Sequence, residues 1–169
     1  MKNPLFYHYI RVKMGVVGRV LLVSIFLLSG LAKLGDDKPH VEMLGKSYEK
    51  WHSWVGKNTG VDFPVKPDLI QANAPLIIKA TGVTLIIGAV LCMLDIPLGS
   101  TLLILFLMAC NLLIHFPPMY SAPEQEMHMV NFLKNTAIIG GLLFIGSSKN
   151  TAGETRPVST GRQGKGKRE

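Results

Sequence analysis

The sequence predicts an all-α integral membrane protein: a four-transmembrane-helix bundle with an amphipathic helix on its outer side. Three observations carry this. Leu76–Phe116 holds two apolar runs separated only by Asp95-Ile96-Pro97, and each is near the ~20 residues that an α-helix needs to cross a bilayer. Further apolar stretches precede and follow this hairpin, at residues 16–34 and 126–145. Basic residues collect at the two termini, while the long first loop balances its charges.

Residues 1–14 are short, polar and basic, and are expected to form a cytosolic N-terminal segment. The first span, residues 16–34, has Arg19 near its start and Lys33 near its end. Each is expected to snorkel to its own interface. A cleaved signal peptide is the competing reading, because Gly30-Leu31-Ala32 resembles a small-residue cleavage site.

The outer loop, residues 35–74, sets Lys38, Lys46, Lys50, Lys57 and Lys66 against Asp36, Asp37, Glu42, Glu49, Asp62 and Asp68. This lack of basic bias fits the non-cytoplasmic side. Val41, Leu44, Tyr48, Trp51 and Val55 recur at three- and four-residue steps, which predicts an amphipathic helix. Trp51 and Trp54 suit the headgroup level, so this helix is expected to cap the membrane surface.

Spans two and three cover residues 76–94 and 98–116. Asp95 and Pro97 turn the chain back, and Pro117-Pro118 ends the third span. The fourth span, residues 126–145, must draw His128, Asn131, Lys134 and Asn135 into the membrane zone to reach sufficient length. Gly140-Gly141 permits close helix contact. Together the spans make a membrane domain over residues 15–146. Residues 147–169 form a basic tail with almost no apolar residues, disordered by composition and expected in the cytosol.

The composition limits function. The net charge of +7 sits at the termini and forms no basic stripe with interleaved aromatics, so nucleic acid is not an expected partner. Cys92 and Cys110 lie more than ~10 Å apart in depth at ~1.5 Å per helical residue, too far for a disulfide. Neither a Gly-rich phosphate loop nor a Cys-x-x-Cys motif is present. The sequence offers no nucleophile–base–acid set, so an enzyme is disfavoured and no cofactor is expected.

Polar groups cluster by depth. Ser29, Lys33, Lys79, Asn111, His115, His128, Asn131, Lys134 and Asn135 all fall in the outer half. Polar groups within a bilayer normally point into the bundle or a wet cavity. Lys79, Asn111, His115, His128, Asn131, Lys134 and Asn135 are therefore candidates to line a client-binding cavity, with Trp51 and Trp54 as its interface cap. Interhelical glue is the alternative for the asparagines. His115, Met119, Met127, His128 and Met129 are suitable ligand types for copper(I), although Met beside His at a membrane edge is more often packing.

Gly18-Arg19-Val20-Leu21-Leu22 with Phe26 to Lys33 resembles the first span of the DoxX-like membrane proteins. So does Asn131-Phe132-Leu133-Lys134-Asn135 leading into Gly140-Gly141-Leu142-Leu143. The long first loop and Lys79-Ala80-Thr81-Gly82 resemble the eukaryotic hypersensitive-response-like lesion-inducing proteins within that group, over about residues 15–146. The resemblance implies a four-helix bundle. The wider group includes proteins linked to quinone and thiosulfate oxidation, a surfeit-locus type cargo receptor, and a chaperone for acetylcholine receptors. Fold alone therefore implies no single activity.

Lys165-Gly166-Lys167-Arg168-Glu169 matches the K-x-K-x-x form of a cytosolic dilysine retrieval signal. With Lys165 and Lys167 in the cytosol, the expected location is the endoplasmic reticulum. The expected partners are the lipid bilayer, a protein client and, through the tail, a coat complex. Two rivals to cargo escort or assembly chaperoning remain. One is a redox-linked protein using His115, His128 and Asn135 to hold a quinone-like lipid. The other is a non-catalytic lipid or sterol binder.

Overall fold

The helices begin and end where the local chemistry dictates. The computed structural model describes residues 4–147, with side chains over residues 16–146. α1 runs Pro4–Gly35, α2 Lys38–Thr59, α3 Pro67–Met93, α4 Pro97–Leu113 and α5 Ala122–Ser147, with a short 3-10 turn at Pro117–Met119. Proline occupies the first turn of α2, α3 and α4, where its missing N–H costs no helical bond. α2 stops at Gly60, whose φ of 68° lets its N–H return to the Gly56 carbonyl at 3.1 Å.

The α3–α4 turn closes as a Schellman motif on a non-glycine residue. Asp95 takes φ 67°, its N–H bonds the Cys92 carbonyl at 3.2 Å, and the Ile96 N–H bonds the Leu91 carbonyl at 2.9 Å. Aspartate tolerates this left-handed conformation better than most residues. Its carboxylate pairs with Arg19 of α1. Arg19 is thus tied to the hairpin turn and does not simply reach for an interface.

Residues 16–35, 67–93, 97–119 and 122–146 lie in four stretches long and apolar enough to cross a membrane. Their surfaces are inverted relative to a water-soluble protein: Leu21, Leu28, Leu76, Leu105, Leu133 and Phe144 are all exposed. The core is Val23 and Phe26 of α1, Leu85, Ala89 and Cys92 of α3, Leu103 and Leu107 of α4, and Leu142 of α5. α1 packs on α3, α3 on α4, α4 on α5, and α5 returns to α1. Cys92 and Cys110 are not joined.

Three helices are longer than their expected spans, two of them at their outer ends. α3 starts at Pro67 rather than residue 76, and α5 at Ala122 rather than residue 126. At ~1.5 Å per residue the 27-residue α3 is about 40 Å long, against a hydrocarbon thickness of ~30 Å. Lys79 Nζ lies 3.6 Å from Asp37, just past the end of α1. The first turns of α3 therefore project beyond α1. α2 packs on that projection, burying Leu44 against Ala74 and Ile78, with Val41, Ile70 and Ile114 beside them. The result is a second polar-surfaced layer at one end of the bundle. α1 also extends back to Pro4, so the expected separate segment over residues 1–14 is in part a continuation of the first helix.

Candidate functional site

The cap is built on α2. Its inward face carries Leu44, Ser47, Tyr48 and Trp51, spaced at helical intervals and all buried. Trp51 is held edge-on to Phe63 at 5.2 Å, and Trp54 edge-on to Phe116 at 5.0 Å. Trp51 thus packs inside the cap and does not face headgroups, while Trp54 stays half-buried at the cap's edge. The Tyr48 hydroxyl donates to the Val65 carbonyl at 2.9 Å, holding the return loop on α2.

Tyr120 joins the cap to the bundle. Its hydroxyl contacts Ser47 Oγ at 3.0 Å and donates to the Ile114 carbonyl. Its ring stacks on His128 at 3.5 Å, and Lys50 Nζ lies 4.8 Å from its centroid. Burial pushes the phenols of Tyr48 and Tyr120 above their ordinary range, which keeps both as donors. Lys50 also pairs with Glu124 at the start of α5.

Beneath Tyr120 the predicted polar residues converge in part. His115 Nδ1 and His128 Nδ1 are 3.1 Å apart, so one ring donates to the other. Asn111 donates to the Phe132 carbonyl and to Thr136 Oγ1, both at 3.3 Å, and accepts from Asn135 Nδ2 at 2.9 Å. Asn111 and His128 are buried at 6% exposure each. Asn131 is half-buried on the same helix as His128.

The lysines do not join this network. Lys79 is 60% exposed on the outer side of α3, near Asp37, and Lys134 is exposed on α5. Both stems are long enough to carry the charge toward an interface from an outward-facing helix position. Of the residues expected to line a cavity, Asn111 bonds Asn135 and His115 bonds His128, joining the α4 end of the hairpin to α5. Among the described residues no group of three His, Cys, Asp or Glu side chains could hold a metal. The retrieval-signal lysines, Lys165 and Lys167, lie outside the described residues.

Open space lies next door, on the cap. A groove of about 480 Å³ runs between α2 and the 3-10 turn, lined by Lys46, Glu49, Lys50, Ser53, Trp54, Lys57 and Met119. Lys46, Lys50, Ser53 and Lys57 fall at steps of four, three and four residues, which places them on one stripe of α2. Of these, sequence reasoning singles out Trp54, for the headgroup level, and Met119, as a ligand type for copper(I). The lysine stripe was legible as the polar face of an amphipathic helix. The groove required knowing that Met119 and Phe116 pack beside it.

Four apolar helices closed around a common core, with a polar cap at one end, define a multi-pass helical membrane protein. The chain belongs to the HR-like lesion-inducing family, whose model matches residues 12–146. No match was found among the curated proteins or the solved structures.

Proposed function

We propose that this protein is a non-enzymatic membrane protein of the endoplasmic reticulum, a cargo escort or assembly chaperone that holds a client at its lumenal, capped end. The observation that carries this reading is the groove on α2: an open site of about 480 Å³ built on a helix whose Leu44 packs on Ala74 and Ile78 of α3 and whose Ser47 takes the Tyr120 hydroxyl. A recognition site on a fixed helix needs little ordering when a partner arrives. The groups with catalytic or ligand chemistry, His115, His128, Asn111 and Asn135, are engaged with one another. A quinone-binding role would require them to release each other first. The Lys165 and Lys167 motif supports retrieval from the early Golgi, and the basic termini support a cytosolic tail. The sequence resemblance to the DoxX-like group, which includes a surfeit-locus type cargo receptor, is consistent with the same role.

The test is photo-crosslinking from a photoreactive residue placed at Ser53, which is exposed and lines the groove. In native membranes the expected result is a small set of defined protein adducts. Adducts only of lipid mass, or only to this chain's own helices, would overturn the proposal. Replacing Lys165 and Lys167 by serine should move the protein forward from the endoplasmic reticulum. An unchanged distribution would remove the retrieval element.

A further inference from the structure

We infer that the α2 groove takes an acidic, extended segment of a protein client, read by Lys46, Lys50 and Lys57 with Trp54 between the last two. This rests on the client-binding reading above and names the chemistry of that site. Three features of the groove argue for it.

The first is charge. The wall presents three lysines and a single acid, Glu49. Lys46 and Lys50 already hold carboxylates of this chain, Glu42 at 2.6 Å and Glu124, so their ammonium groups stand where a carboxylate can reach them. Glu42 is 67% and Glu124 49% exposed, so each can be traded for an incoming carboxylate without opening the core. Lys57 makes no ion pair among the described residues.

The second is length. From Lys46 to Lys57 the stripe rises about 16 Å along α2, which is the span of about five residues of extended chain. Lys46 and Lys50 are separated by about 6 Å of rise. Side chains two apart on one face of a strand are separated by nearly the same distance, about 6.6 Å. Two acids at alternate positions of a client would therefore meet two successive lysines.

The third is the apolar partner. Trp54, between Lys50 and Lys57 on α2, lines the groove with Met119 and offers an apolar surface on which a side chain beyond the acidic pair would rest. The cap layer also stands on the projecting turns of α3, past the end of α1, which places the stripe toward the aqueous side. That location favours a peptide segment over a lipid headgroup.

The experiment uses the full chain in zwitterionic nanodiscs and a fluorescein-labelled hexapeptide with aspartates at alternate positions followed by leucine. Anisotropy is compared with that of the asparagine counterpart. The aspartate peptide is expected to bind at least about tenfold more tightly, with affinity falling as salt rises. Lys46→Ala with Lys57→Ala should abolish that preference, while Lys38→Ala, off the stripe, should leave it intact. Equal binding of both peptides, or indifference to the Lys46 and Lys57 changes, would overturn the proposal. So would displacement of the peptide by phosphatidylserine in the nanodisc, which would assign the stripe to headgroups. If the acidic peptide fails while Ser53 still crosslinks defined proteins, the client reading stands and only its acidic chemistry falls. If both fail, the groove is not a client site.

Discussion

Gly30 of α1 and Gly82 of α3 meet backbone to backbone. A Cβ on Gly30 would stand 2.8 Å from the Gly82 carbonyl oxygen, and one on Gly82 3.0 Å from the Gly30 carbonyl oxygen. Small residues at a crossing let apolar helices approach closely in a membrane, where dispersion contacts drive association. This crossing lies one turn along α3 from Ile78, on which the cap packs.

Gly30→Ala is therefore expected to destabilise the bundle by about 1–3 kcal/mol, as overpacking does. Ile86 can swing away from the new methyl, but the Gly82 carbonyl cannot. Gly18→Ala on the same helix is the control, because nothing lies within 4 Å of its added Cβ. Thermal unfolding of the purified protein in detergent should separate the two variants. A Gly30→Ala protein as stable as Gly18→Ala would refute the close approach.

The hairpin holds a stricter contact. A Cβ on Gly99 would overlap the Cys92 nitrogen and lie 2.7 Å from the Gly88 oxygen, both backbone. Gly99→Ala should therefore cost more than Gly30→Ala and lower the yield of folded protein. Folding yield and thermal midpoint measured side by side give the ranking, and the reverse order would contradict it.

How legible this was in the sequence depended on range. The spans at 16–34, 76–94 and 98–116 follow from apolar length, and the cap helix follows from the spacing of Leu44, Tyr48 and Trp51. The extra outer turns of α3 were hidden because Asp68, Gln71 and Asn73 look like loop residues until α2 packs on Ala74 and Ile78. Asn111, His115, His128 and Asn135 were found by depth and shared face, both properties of single helices. Lys79 and Lys134 have the same depth but point elsewhere, because rotation about the helix axis is set by partners that no local pattern records. Tyr120 was missed outright. Its bond to Ser47 joins segments 73 residues apart, and nothing near Tyr120 announces it.

Asn111 tests whether the α4–α5 network holds the bundle together. Asn111→Leu removes an acceptor for Asn135 and donors for Phe132 and Thr136, while filling a similar volume. Interhelical hydrogen bonds in membranes are worth about 0.6–2 kcal/mol. A loss of that order in thermal stability is expected, and Asn111→Leu with Asn135→Leu should recover part of it by removing the stranded amide. No recovery in the double variant would mean that Asn135 finds other partners and the pair is not coupled.

The Arg19–Asp95 pair makes a different demand. Asp95→Asn keeps a residue that tolerates φ 67° and removes only the charge. Asp95 is 50% exposed, so the loss should stay near ~1 kcal/mol. Arg19 is only 19% exposed and its Nε is buried without a hydrogen-bond partner, so the charge left on it holds the loss at the upper end of the ~0–1 kcal/mol of surface pairs. Stability measured at low and high salt checks this: a fully screened, salt-erased difference would place the pair in open solvent.

The first turn of α2 should respond to acid through His40. Burial, and next the charge of Lys33, lower its pKa below the ordinary value of 6.5, while Asp36 raises it. The folded state therefore binds the proton less readily than the unfolded state. Its contribution to stability is present above pH ~6.5 and is lost as pH falls through the lower, folded-state pKa. Hydrogen exchange across residues 38–48 at pH 7.5 and pH 5 should show the N-terminal turns of α2 opening more often at the lower pH. His40→Gln cannot take up the proton and should flatten that difference without altering exchange in α4. If wild type and His40→Gln show the same pH dependence, the acid sensitivity of the cap arises elsewhere and His40 has no part in it.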